Sequence, residues 1–183
     1  AIEKALTGTC KEELNKSSQI STVSEPVEQY RSGNGFFTGN PDDFDPKYAI
    51  DKTRFWHFLR NTQKEELEKL QRSADWKLKI LERYDRMVKK YGLLRILKKG
   101  LEVEDAFFTL LYPMPLESSS RTAKDNFRNN EFSVTRQVRY NIENLREEID
   151  MVVFVNGLPL ATLELKNQWT GQNAKVHGIR QYK

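Results

Sequence analysis

Residues Glu148 to Asn167 read EIDMVVFVNGLPLATLELKN. Two apolar runs, MVVFV and LPLATL, flank Asn156-Gly157, a strong short-range signal for a two-stranded hairpin. Asp150 enters the first strand, and Glu164 and Lys166 leave the second. Charges on strands this apolar are costly unless they are paired or hold a cation. Side chains alternate across a strand, so Glu164 and Lys166 project together while Leu163 and Leu165 face the core. A carboxylate beside an ammonium can hold a divalent cation and orient or deprotonate an attacking water. A few hard oxygen donors suit Mg²⁺, with Mn²⁺ as a substitute, and such a cation polarises a phosphate and stabilises charge on its oxygens. Lys166 needs a lowered pKa if it is the base.

An acid followed by Glu-x-Lys is common on exposed strands, so the pattern alone carries little. The apolar flanks add to it, because they leave little room for a solvated strand edge. Register supplies a test. In an ideal hairpin with Asn156-Gly157 as a two-residue loop, Val155 pairs with Leu158 and Asp150 with Leu163, which puts Glu164 on the wrong face. One extra residue restores a shared face. Gly157 as a left-handed bulge after a type I turn would supply it, and Pro159, with no N–H to donate, is another place for pairing to break. An irregularity is therefore predicted within Val155 to Leu160.

Composition bounds the alternatives. The chain has 183 residues, 38% hydrophobic and 31% charged, with 30 Lys or Arg against 26 Asp or Glu. That length suits one domain, and the slight positive balance permits a polyanionic partner without requiring one. Cys10 is the sole cysteine, which excludes an intrachain disulfide, and with two histidines makes structural zinc a poor expectation. No apolar run reaches membrane-spanning length, so a cytoplasmic location without membrane contact is expected. The start at Ala1 and the stop at Lys183 in mid-pattern suggest part of a larger chain.

Residues 1–100 read as mainly helical. Ile2 to Leu14 is a short helix, Asn15 to Asp45 a polar loop, and Asp51 to Arg60 an aromatic-rich helix. Thr62 and Glu65 look like a capping box opening one long helix that runs to Gly92, its charged face solvated. Leu93 to Lys99 is a shorter helix ending at Gly100. In residues 101–183 the period changes. Ala106 to Tyr112 reads as a buried strand, Leu116 to Glu131 as loop, and Phe132 to Tyr140 as a strand with Arg136 interrupting its apolar face. The hairpin and a closing helix over Gly171 to Lys183 follow. Helices, then strands, then a helix argue for an α+β or mixed α/β domain.

TRQVRYN, the hairpin with QWTGQNA after it, and the closing RQY resemble the N-terminal nuclease domain of the restriction (motor) subunit of type I restriction–modification enzymes. The resemblance is close over Phe132 to Tyr182 and weaker through FWHFLRNTQ (Phe55 to Gln63) and GLLRILKKG (Gly92 to Gly100). It implies a restriction-endonuclease-like PD-(D/E)xK fold, a central mixed sheet flanked by helices, that cleaves double-stranded DNA with Mg²⁺ in a prokaryotic cytoplasm. Asp150 and Glu164 carry over as metal ligands, Lys166 as the catalytic lysine, and the Leu165 carbonyl as a further candidate ligand. An acid of the first helix often completes such sites, and Glu3 is the candidate here. The family's Gln-x-x-x-Tyr places its tyrosine on Tyr182, but its glutamine falls on Gly178, with Gln181 as a substitute only if the helix is shifted. The resemblance also implies methyltransferase and specificity subunits as partners. It places an ATP-driven translocase beyond this region, and no Walker-type phosphate loop occurs in the chain.

Arg136 and Gln137 are candidates for DNA phosphate, with pairing of Arg136 to a nearby acid the alternative. Lys175 and Arg180, with Gln168 and Trp169 just ahead, could form a phosphate-tracking rim, a solvated helix face being the alternative for Lys175. The resemblance adds Gln181 and Tyr182 as DNA contacts. His57, His177 and the three tryptophans read as packing residues. The competing function is a nuclease-like DNA-binding or assembly module without activity. A glycosidase using two carboxylates fits less well, since that chemistry has no use for Lys166.

Overall fold

The computed structural model describes residues 2–8, 35–141 and 147–165. Expectations for most of 9–34, and for Lys166, Gln168, Trp169, Lys175, His177, Gly178, Arg180, Gln181, Tyr182 and the closing helix, lie outside those residues. The described chain is a mixed α/β structure whose main sheet has four strands. In chain order these are β1 (Phe36–Thr38), β6 (Phe132–Arg139), β7 (Glu148–Val155) and β8 (Leu158–Leu163), which is also their order in space. β1 runs parallel to β6, and β6, β7 and β8 are antiparallel. Helix α1 (Ile2–Thr7) packs on β1 and β6.

β1 lies inside the stretch expected to be loop, together with a 3₁₀ turn at Pro41–Asp43 and a short ladder of β2 (Phe44–Asp45) and β3 (Ile50–Asp51). Three residues cannot display a period, and the partner of β1 is nearly a hundred residues away in sequence. What holds β1 is a charged cluster. Arg54 donates to the Thr38 carbonyl at 3.2 Å, lies 4.7 Å from the Phe37 ring centre, and reaches Asp51 at 3.7 Å and Glu131 at 3.5 Å. The carboxyl of Asp51 is pushed up by burial, offset in part by the Arg54 N–H it accepts as the cap of the next helix. His57, itself exposed, completes the cluster through a short contact from Nδ1 to Glu131 rather than by packing in the core.

Helix α2 (Lys52–Thr62) contributes Phe55, Phe58 and Leu59 to the main core, as its aromatic spacing predicts. The capping box does not form. Thr62 closes α2, its hydroxyl donating back to the Phe58 carbonyl at 2.7 Å. The long helix is two, α3 (Lys64–Leu70) and α4 (Trp76–Tyr91), separated where Ser73 and Asp75 bond each other instead of continuing the helix. Gly92, at φ +80°, ends α4, and α5 (Leu93–Lys99) follows.

The strand expected over Ala106 to Tyr112 is shorter and belongs elsewhere. β4 (Leu101–Val103) and β5 (Ala106–Phe108) form their own hairpin on α3 and α4, outside the main sheet. Gln63 takes the place of a further strand residue, accepting from the Thr109 N–H and donating to the Thr109 carbonyl at 2.9 Å. Gln63→Ala leaves both groups without their partner. We expect it to cost about 2 kcal/mol, seen as a lower urea midpoint at unchanged slope.

The loop expected before β6 contains α6 (Arg121–Arg128), capped by Ser120 and without a buried residue. Ser133 and Thr135, polar residues that alternate with the apolar ones of β6, are buried at 0% and 1% exposure. Both faces of the strand are therefore covered up to Thr135, while Gln137 and Arg139 beyond it are exposed. No helix among the described residues is long and apolar enough to cross a membrane.

Candidate active site on the β7–β8 hairpin

Asn156 and Gly157 have φ of +52° and +78°, and Val155 pairs directly with Leu158. The loop is thus a two-residue turn of the type that follows strand twist, not a type I turn with a glycine bulge. The extra residue lies two positions further on. Pairing runs Phe154↔Pro159 and then Val153↔Ala161, so Leu160 is bulged out of the ladder. This is the irregularity expected within Val155 to Leu160, in the version that involves Pro159. β8 is an edge strand, where a missing N–H is tolerated.

The bulge sets the chemistry. Beyond it the pairing Met151↔Leu163 holds, and one further step puts Asp150 opposite Glu164. The strands stay close there, since the Leu165 N–H donates to Asp150 Oδ2 at 2.6 Å. Asp150 and Glu164 are both half-buried, at the end of the hairpin away from the turn. Tyr140 lies near them. Its phenol is held above its ordinary range, first by desolvation and then by the negative charge of Glu147 and Glu164.

Gln137 stands across β7 from Asp150, between the pairs Arg136↔Met151 and Val138↔Ile149. Its φ is +55°, a left-handed conformation that costs a non-glycine residue on the order of 1 kcal/mol, and its side chain is exposed. Sequence offers no signal for that backbone, because the residue type alone does not ask for it. Arg136 has an acid as partner. Its Nη1 lies 3.2 Å from Glu3 Oε2, and Glu3 is 4% exposed. The first-helix acid is therefore engaged with the strand next to β7. Among the described residues, no group of three or more His, Cys, Asp or Glu side chains is placed to hold a metal ion, so the two carboxylates stand as a pair.

These features define a mixed α/β domain that mounts two carboxylates across the open end of a bulged hairpin. The chain belongs to the family described as the type I restriction enzyme R protein N terminus, which matches residues 18–183. Neither the curated proteins nor the solved structures contain a match.

Proposed function

We propose that this domain is a Mg²⁺-dependent endonuclease of the PD-(D/E)xK type that cuts double-stranded DNA. The observation that carries the reading is the bulge at Leu160, which brings Asp150 and Glu164 to one face despite a sequence spacing that would otherwise separate them. A bulge that re-aims side chains beside charged residues is a common functional device. Two half-buried carboxylates fit Mg²⁺, which keeps several waters and takes few protein ligands. Asp150 and Glu164 hold the ion, with the Leu165 carbonyl as the further ligand, while the Leu165 N–H fixes the rotamer of Asp150. When bound, the ion supplies Lewis-acid stabilisation of charge on the scissile phosphate. Lys166, two positions after Glu164 in sequence, orients the attacking water and takes or shares its proton.

Gln137, exposed beside Asp150, contacts DNA backbone, as do Arg180, Gln181 and Tyr182 further along the chain. Arg136, held by Glu3, supports the site from the adjoining strand and adds positive charge to it. On this reading the domain works in a cytoplasmic complex with methyltransferase and specificity subunits, with an ATP-driven motor outside this region.

The test pairs metal calorimetry with plasmid nicking on wild type, Asp150→Ala and Lys166→Ala. Asp150→Ala should lose Mg²⁺ binding and nicking together, while Lys166→Ala should keep the ion and lose nicking. Metal binding indifferent to Asp150 would instead favour a DNA-binding or assembly module without catalysis.

A further inference from the structure

The charge of this chain is concentrated far from the hairpin site. Residues 76–100, which span α4 and α5, hold nine Lys or Arg against only Glu82 and Asp85. Their excess of seven is larger than the net +4 of the whole chain, so the remainder is net negative. Lys79, Arg83, Arg86 and Lys90 follow one another at intervals of three or four and form a stripe along one face of α4.

The two ends of the stripe differ. Lys79 is tied to Glu104 at 2.9 Å, and Arg83 donates to the Glu102 carbonyl at 3.0 Å, so both are anchored on the β4–β5 hairpin. Arg86, Lys90 and, on α5, Arg95 are exposed and have no carboxylate in ion-pair reach among the described residues. Lys90 and Arg95 flank the ring of Tyr91, at 5.0 Å and 4.6 Å from its centre. The Tyr91 phenol is drawn below its ordinary value, first by its hydrogen bond with Lys90 and also by Arg95 and Arg83. Cations near a helix C-terminus are often explained by the helix dipole, which suffices for Lys89, Lys90, Lys98 and Lys99. Arg86 lies mid-helix and Arg95 near the start of α5, where the dipole gives no such benefit.

We propose that Arg86, Lys90, Tyr91 and Arg95 form a second contact with duplex DNA, a phosphate-binding surface that holds the substrate away from the cutting site. The inference rests on the reading of the domain as a DNA nuclease. Three cations with no carboxylate partner among the described residues, beside a phenol on the same helices, match the groups that proteins use to contact phosphate. The placement also fits. Asp150 lies six residues along β7 from the turn, or about 20 Å, and the turn packs on α2 with α4 behind it.

The experiment measures binding of a labelled 30-base-pair duplex to the full chain in EDTA across a salt series. EDTA removes any contribution of the metal site. Each phosphate contact adds about 0.9 to the slope of log affinity against log salt. The triple variant Arg86→Gln/Lys90→Gln/Arg95→Gln should therefore show a slope shallower by about 2 to 3, and Arg86→Gln alone by about 1. A control, Lys64→Gln/Arg72→Gln/Arg121→Gln, removes as many exposed charges elsewhere and should leave the slope unchanged. An unchanged slope in the triple variant, an equal fall in the control, or no binding by wild type would overturn the proposal. None of those results bears on Mg²⁺-dependent nicking and its loss in Asp150→Ala, so the two readings fail separately.

Discussion

Insertion of one alanine between Ala161 and Thr162 is expected to extinguish Mg²⁺-dependent DNA cutting, whereas deletion of Leu160 is expected to leave it within a few-fold of wild type. The asymmetry follows from the ladder. Leu160 is the extra residue, and the residues after it pair with β7 as though it were absent. Its removal turns a bulged hairpin into a regular one with Val153↔Ala161 and Met151↔Leu163 intact, so Asp150 still faces Glu164. Leu160 is 46% exposed, and its loss removes little from the core. An insertion after the bulge instead moves every later residue by one position. Glu164 then falls opposite Ile149 and turns to the other face. A misplacement of 1 Å can cost about a hundredfold in rate, and this change displaces a metal ligand by several times that. Plasmid nicking and Mg²⁺ calorimetry on both variants, with circular dichroism to confirm folding, decide the matter. Cutting by the insertion variant at the wild-type rate would show that Glu164 has no part in the site.

The same ladder shows what a sequence can disclose. The hairpin is legible because two alternating apolar runs meet at Asn-Gly, and the need for one extra residue follows from counting faces. Its location does not follow, since Gly157 and Pro159 were both able to host it and only pairing within the sheet decides. The structure places the bulge next to Pro159 and leaves Gly157 in a regular turn. Helix α2 and the glycines closing α4 and α5 were likewise readable from local chemistry. β1 was not, because three residues are stabilised by a distant parallel partner and by Arg54 rather than by their own pattern. The false capping box has a similar origin. Thr62 and Glu65 satisfy the motif, but Gln63 is drawn away to Thr109, so the chain breaks between α2 and α3. At the candidate site, Asp150 and Glu164 were legible as charges beside apolar runs, but β8 is exposed from Leu160 to Thr162 and Leu165 is exposed instead of facing the core. The strained backbone at Gln137 and the placement of Tyr140 near Glu164 arise only from packing.

Asn156→Ala is expected to cost about 4 kcal/mol, a large share of the roughly 5–15 kcal/mol that holds a domain of this size together. Hairpin turns are usually exposed, and an Asn-Gly pair is normally chosen only for its backbone. Here the side chain is fully buried. Its Oδ1 accepts from the Glu131 N–H at 2.7 Å, and its Nδ2 donates to the Leu110 carbonyl at 2.9 Å and to Asn130 Oδ1 at 3.0 Å. Its own N–H donates to the Glu131 carbonyl at 2.7 Å. Asn130 in turn binds the Tyr112 N–H and carbonyl, so one amide ties the hairpin tip to the start of β6 and to the segment after β5. Alanine would strand the buried Glu131 N–H and the Leu110 carbonyl, each costing about 1–3 kcal/mol, while Asn130 Oδ1 keeps the Tyr112 N–H. It would also have to adopt φ +52° without the local bonding that lets asparagine do so. Asn156→Gly keeps the backbone freedom and loses the same amide, so it isolates the hydrogen-bond share. If both variants fall by similar amounts in urea unfolding, the buried network dominates. If glycine is nearly neutral, the turn conformation carries the effect instead. Either variant that still folds should retain the order of β7 and β8 at Asp150, because the bulge separates the tip from the site.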